Sequence, residues 1–168
     1  MSNVLIVSGH PRTGDDSVAN KTILEELAIL LPGAEIDHLD DLYPEYTFDV
    51  EAEQEKLRAA DVIVLQYPLW WYGWPALLQK WMEDVFVRGF SHGSSGTALR
   101  GKKLVVSVTT GASQAYYAPD SVDFNDLLTP AKATCALTGM EFAGSLPADM
   151  VERSREHAKR LAEFVFSL

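Results

Sequence analysis

Asp61-Val62-Ile63-Val64-Leu65-Gln66-Tyr67 is a short apolar run rich in β-branched residues, bounded before by the helical pattern Glu51–Ala60 and after by Pro68. A strand with one wet face alternates apolar and polar residues, whereas a strand covered on both faces does not. The run therefore reads as a central strand. Val4-Leu5-Ile6-Val7 and Leu104-Val105-Val106-Ser107-Val108-Thr109 share its character. Ala34-Glu35-Ile36-Asp37-His38-Leu39 alternates like an edge strand, and a weaker fifth strand lies near Met140 to Ser145.

Helical patterns separate these strands. Ile23, Leu24, Leu27 and Leu30 mark a helix from Ser17 to Leu31, stopped by Pro32-Gly33. Pro75 suits the first turn of a helix reaching Phe86, where its missing N–H costs nothing. A helix over about Phe124 to Leu137 follows, its start weakened by Pro130, and a closing helix runs from about Asp149 to Phe166. Strands that alternate with helices pair in parallel, and right-handed crossovers place helices on both faces. The expectation is one α/β domain over 1–168, a three-layer sandwich around a five-stranded parallel sheet of order 2-1-3-4-5. In such a sheet a ligand crevice opens beyond the carboxyl ends of the strands, near the switch between strands one and three. The loops after Val7, Tyr67 and Thr109 should meet there.

The chain has 168 residues, enough for a core without disulfides or metals. Its formal net charge of -10 argues against nucleic-acid binding, which needs a basic surface. Nothing resembles a signal peptide or a membrane-spanning run, so the cytoplasm is the expected location. The single cysteine, Cys135, sits in an apolar-patterned stretch and reads as a buried, inert thiol. His38, His92 and His157 lack metal-ligand spacing and read as surface residues; no metal site is expected.

Each of the three loops has its own chemistry. The first, Ser8 to Asn20, joins a buried strand to a helix capped by Asp16 or Ser17. Helix-start amides and the helix dipole favour a phosphate there, with Ser17 and Asn20 adding hydrogen bonds and His10 and Arg12 adding donors. It is neither a Walker loop nor a Gly-x-Gly-x-x-Gly fingerprint, and a capped helix without a ligand looks the same. The second, Gln66-Tyr67-Pro68-Leu69-Trp70-Trp71-Tyr72-Gly73-Trp74-Pro75, holds too many aromatics for one strand face. Prolines at both ends disfavour a regular helix. Such a loop lines a flat ligand or packs an interface; an isoalloxazine ring suits it, with Trp71 and Tyr72 as contacts and Trp81 left to the core. In the third, Thr109-Thr110-Gly111-Ala112-Ser113, exposed amides suit the polar edge of a flavin and negative charge on its reduced form. Tyr116 and Tyr117 follow in a stretch that would overhang the site.

Taken together, Val7-Ser8-Gly9-His10-Pro11 with Ser17-Val18-Ala19-Asn20, then Gln66 to Tyr72, then Thr109-Thr110-Gly111, resemble the flavodoxin-like NAD(P)H:quinone oxidoreductase family. Pro75 to Phe86 and Gly96 to Lys102 match it too, and the likeness fades after about residue 112. Its shorter members, ancillary subunits of glutathione-gated potassium efflux systems, are the most similar. The resemblance implies FMN, with His10, Ser17, Val18, Ala19 and Asn20 at the phosphate. It places Pro68, Leu69, Trp70, Trp71 and Tyr72 beside the ring and Thr109, Thr110, Gly111 and Ala112 at the pyrimidine edge. It further implies a homodimeric two-electron reductase that takes hydride from NADH or NADPH and delivers it to a quinone-like acceptor in ping-pong fashion. Some relatives set a tyrosine and a histidine over the flavin. Tyr117 stands where that tyrosine falls, as the candidate catalytic donor, but Gln114 to Leu127 contains no histidine and Ala112 replaces a glycine. Three alternatives stay open: a regulatory subunit docked on a membrane transporter, a one-electron flavodoxin-type carrier, and a fold without cofactor used purely as a structural partner.

Overall fold

The three uniformly apolar strands take the middle of the sheet. The computed structural model describes residues 2–13, 17–117, 122–149 and 153–168. In it β1 (Val4–Ser8) lies between β2 (Glu35–His38) and β3 (Val62–Pro68), with β4 (Lys103–Thr110) and β5 (Glu141–Asp149) beyond. Every pairing is parallel and the order is 2-1-3-4-5. The helices are α1 (Val18–Leu30), α2 (Leu39–Leu42), α3 (Val50–Ala59), α4 (Ala76–Val85), α5 (Phe124–Leu127), α6 (Thr129–Thr138) and α7 (Ser154–Phe166).

Strand alternation divides the core into two layers. Leu5, Val7, Ile63, Leu65, Leu104 and Val106 face Leu57 of α3, Leu77, Leu78 and Trp81 of α4, and Cys135 of α6. Ile6, Val64 and Val105 face Ile23, Leu24 and Leu27 of α1, and Ala158, Leu161 and Val165 of α7. Burial pushes the Cys135 thiol up to about 11, which keeps it protonated and unreactive.

Four local features depart from the sequence reading. The helix expected over 124–137 is two helices meeting at Leu128, because Pro130 fits a first helical turn but not the interior of a continuing helix. Gly139 then closes α6 in the left-handed conformation, φ +75°. The fifth strand runs on to Asp149, where the closing helix was expected to start, and α7 spans Ser154–Phe166. A further short helix, α2, follows the edge strand. Among the described residues no helix is long and apolar enough to cross a membrane.

Candidate functional site

β1, β3 and β4 end at Ser8, Pro68 and Thr110, so their loops leave the same edge of a parallel sheet. Ser17 is the cap of α1: its Oγ accepts from the Asn20 amide at 3.2 Å. The first amides of α1 have no carbonyl one turn back within the helix and point off its end. Asp16, the other cap candidate, lies outside the described residues. Val18 is an exposed side chain, so only its backbone can serve a buried ligand, while Ala19 is half-buried and Asn20 buried. The His10 ring is buried too. Its Nδ1 accepts from the Arg12 amide at 3.0 Å, which leaves Nε2 as the ring's N–H donor. Thr13 N donates to Asp40 Oδ2 at 2.6 Å, fastening this loop to α2.

The second loop makes a tight turn in which Gly73 N donates to Trp70 O at 3.1 Å. Both central residues are left-handed, Trp71 at φ 50° and Tyr72 at φ 64°. Side chains at positive φ cost roughly 1 kcal/mol or more each, and such strain collects at functional sites. Trp71 is 96% exposed; Trp70 and Tyr72 are partly so. Trp74 is half-buried and donates through Nε1 to Tyr67 Oη at 3.1 Å, and Trp81 is wholly buried. Trp70, Trp71 and Tyr72 are the exposed aromatics of this loop.

Contacts join the three loops. Asn20 Nδ2 donates to Thr109 Oγ1 at 2.9 Å, and Leu69 N to Thr109 O at 2.8 Å. The His10 ring meets Trp70 edge-on at 5.3 Å between centroids. Thr110 Oγ1 donates to Ala112 O at 2.8 Å, shaping the third turn, with Gly111 exposed at its tip. A one-turn 3-10 helix, Gln114–Tyr117, follows. There Tyr116 and Tyr72 share a hydroxyl hydrogen bond of 3.1 Å, and Tyr117 packs edge-on between Tyr116 and Phe124. Burial, then the neighbouring Tyr116, holds the Tyr117 phenol above its ordinary value. It is a neutral O–H donor at neutral pH.

Sequence reading missed a polar row behind these loops. Ser8, Gln66 and Ser107 stand side by side on β1, β3 and β4 in register, on the face covered by α1 and α7. The chemical signal was present, since Gln66 and Ser107 interrupt otherwise apolar strands. His157 completes the row. It is not a surface residue as expected but wholly buried, on the α7 face that also carries Ala158, Leu161 and Val165.

Comparison with known proteins places this geometry among relatives. The family described as "Flavodoxin-like fold" matches residues 2–165, well past residue 112, where the motif likeness fades. The glutathione-regulated potassium-efflux system ancillary protein KefF of Enterobacter sp. (strain 638) is 40% identical over 140 residues, 83% of this chain and 78% of that one. General stress protein 14 of Treponema denticola, solved in complex with FMN, superposes with a TM-score of 0.87 at 27% identity, covering 98% of this chain and 97% of that one. An NADPH-quinone reductase from P. pentosaceus gives a TM-score of 0.82 at 25% identity, with 98% and 97% covered.

Proposed function

Since the chain belongs to the flavodoxin-like fold family, we propose that it binds FMN and passes two electrons from NADH or NADPH to a quinone or similarly flat acceptor. The convergence of three loops on one sheet edge carries the reading, through the Asn20–Thr109, Leu69–Thr109 and His10–Trp70 contacts. The residues present fit that cofactor. The first amides of α1, with Ser17, Asn20 and His10, offer donors to a phosphate beside the positive end of a helix. Pro68 to Tyr72 offer apolar and aromatic side chains for a flat ring, and backbone groups of Thr109 to Ala112 offer partners for a pyrimidine edge. The FMN complex of the Treponema denticola relative supports the assignment.

Bound FMN supplies the two-electron hydride chemistry, which no side chain here provides. The protein's part is to hold and orient. Trp70 and Tyr72 screen the ring from water, and the turn at Gly111 directs amides at its polar edge, favouring negative charge there. Tyr117 donates its phenolic hydrogen to the acceptor. Trp71, at 96% exposure, is the surface that a second copy of the chain covers in a homodimer.

Anaerobic addition of NADPH or NADH to the FMN-loaded protein should bleach its visible absorbance, and a quinone should restore it. Steady-state double-reciprocal lines at several quinone concentrations should be parallel, as one shared site requires. Intersecting lines would contradict alternate occupancy, and no bleaching with either nucleotide would contradict the reductase reading.

The 40% identity to KefF favours a second reading, in which the FMN-bearing chain is a cytoplasmic ancillary subunit of a potassium-efflux system. Co-purification with such a system from co-expressing membranes would support it, and quinone turnover would not exclude it.

A further inference from the structure

We propose that His157 is a positioning residue for this site: through Ser107 and Gln66 it sets which hydrogens Asn20 and Thr109 present to a ligand. The inference rests on the FMN reading of the site and extends it to a helix on the far side of the loops. Five side chains, none more than 7% exposed, form a continuous line from α7 to the third loop. His157 Nε2 lies 2.7 Å from Ser107 Oγ; Ser107 Oγ donates to Gln66 Oε1; Gln66 Nε2 donates to Asn20 Oδ1 at 2.8 Å; Asn20 Nδ2 donates to Thr109 Oγ1 at 2.9 Å.

The line has a direction. Because Ser107 gives its only hydrogen to Gln66, it must accept from His157, which therefore carries its hydrogen on Nε2. Burial, then the nearby Arg160 charge, lowers His157 to about 4, so near neutral pH the ring holds a single N–H and its position is a definite question. Turning over both amides would reverse every bond as a unit, with Thr109 donating to Asn20 and Ser107 donating to the ring. The two directions present different chemistry. In the first, Thr109 keeps its hydroxyl hydrogen for a ligand rich in acceptors. In the reverse, the Thr109 hydrogen is consumed inside the protein. An N–H on Nε2 of His157 holds the line in the donating sense, and the neighbouring bonds reinforce it.

The test is a 15N NMR measurement of histidine tautomers in the folded chain, without and with FMN, alongside FMN titrations of two variants. The proposal expects His157 as the Nε2–H tautomer in both states. His157→Leu, which cannot donate, should weaken FMN about tenfold, the effect of one good hydrogen bond, while His157→Gln, which can, should stay within about threefold. In a Ser107→Ala background the two His157 variants should bind FMN alike. An Nδ1–H tautomer, or a folded His157→Leu variant with unchanged FMN affinity, would overturn the proposal. Should His157→Leu fail to fold, the tautomer of the unmodified chain decides. If the unmodified chain retains no FMN, the cofactor reading fails, and the tautomer of the ligand-free chain still decides the direction of the line.

Discussion

Replacing Trp81 with alanine is expected to lower the unfolding free energy by about 3–5 kcal/mol, the usual range for emptying a buried aromatic site. The indole projects from α4 and is wholly buried against the sheet, with Phe86 edge-on at 5.5 Å. Lost packing is only part of the effect. Trp81 Nε1 donates to Glu53 Oε2 at 2.8 Å, and Glu53 is itself fully buried. Burial alone would push that carboxyl up, but its interaction with the neighbouring Asp37 and the hydrogen bonds it accepts from Lys56, Tyr43 and Trp81 outweigh it and hold it below its ordinary value. Removing the indole leaves a buried carboxylate oxygen short of a donor, which is costly in its own right. Thermal unfolding should shift down by roughly 6–20 °C for a chain of this size. Trp81→Phe separates the two contributions, since it keeps most of the bulk and loses the N–H. An alanine variant melting within about 2 °C of the original, where about 1 kcal/mol already moves a midpoint by 2–4 °C, would show that this layer is not close-packed around Trp81.

Asn20→Leu is expected to raise the FMN dissociation constant by about 100-fold with the fold retained. In the proposed site leucine removes the side chain's donor to the ligand, and it leaves Gln66 Nε2 and Thr109 Oγ1 without the partner they now share. Each buried polar group left unsatisfied costs about 1–3 kcal/mol, and every 1.4 kcal/mol is a factor of ten. Part of that cost falls on the ligand-free protein, so the titration is paired with a melting curve. An affinity within threefold of the original, in a folded variant, would remove Asn20 from the site.

The sheet order was legible because three strands carry no wet face, and a parallel sheet of five strands has few ways to bury three of them. The loops were legible for the same reason: strand ends decide where they go. Other features depended on information that lies outside local pattern. His157 sits in the charged stretch Arg155 to Arg160, and only the phase of α7 shows that it shares a stripe with Leu161 and Val165. Gln66 and Ser107 stand out as polar residues in apolar strands, but only the register sets them next to each other. Trp71 and Tyr72 take a conformation usually left to glycine, which their side chains give no hint of. The break at Leu128 was half visible in Pro130, but a proline in a first turn and a proline that ends a helix read alike in sequence.

The most direct test of the central claim is an absorbance spectrum of the purified protein after incubation with FMN and desalting. The three-loop site predicts that flavin bands stay with the protein and are lost in parallel with folding on heating. A folded protein, shown as such by circular dichroism, that emerges with no flavin would contradict it.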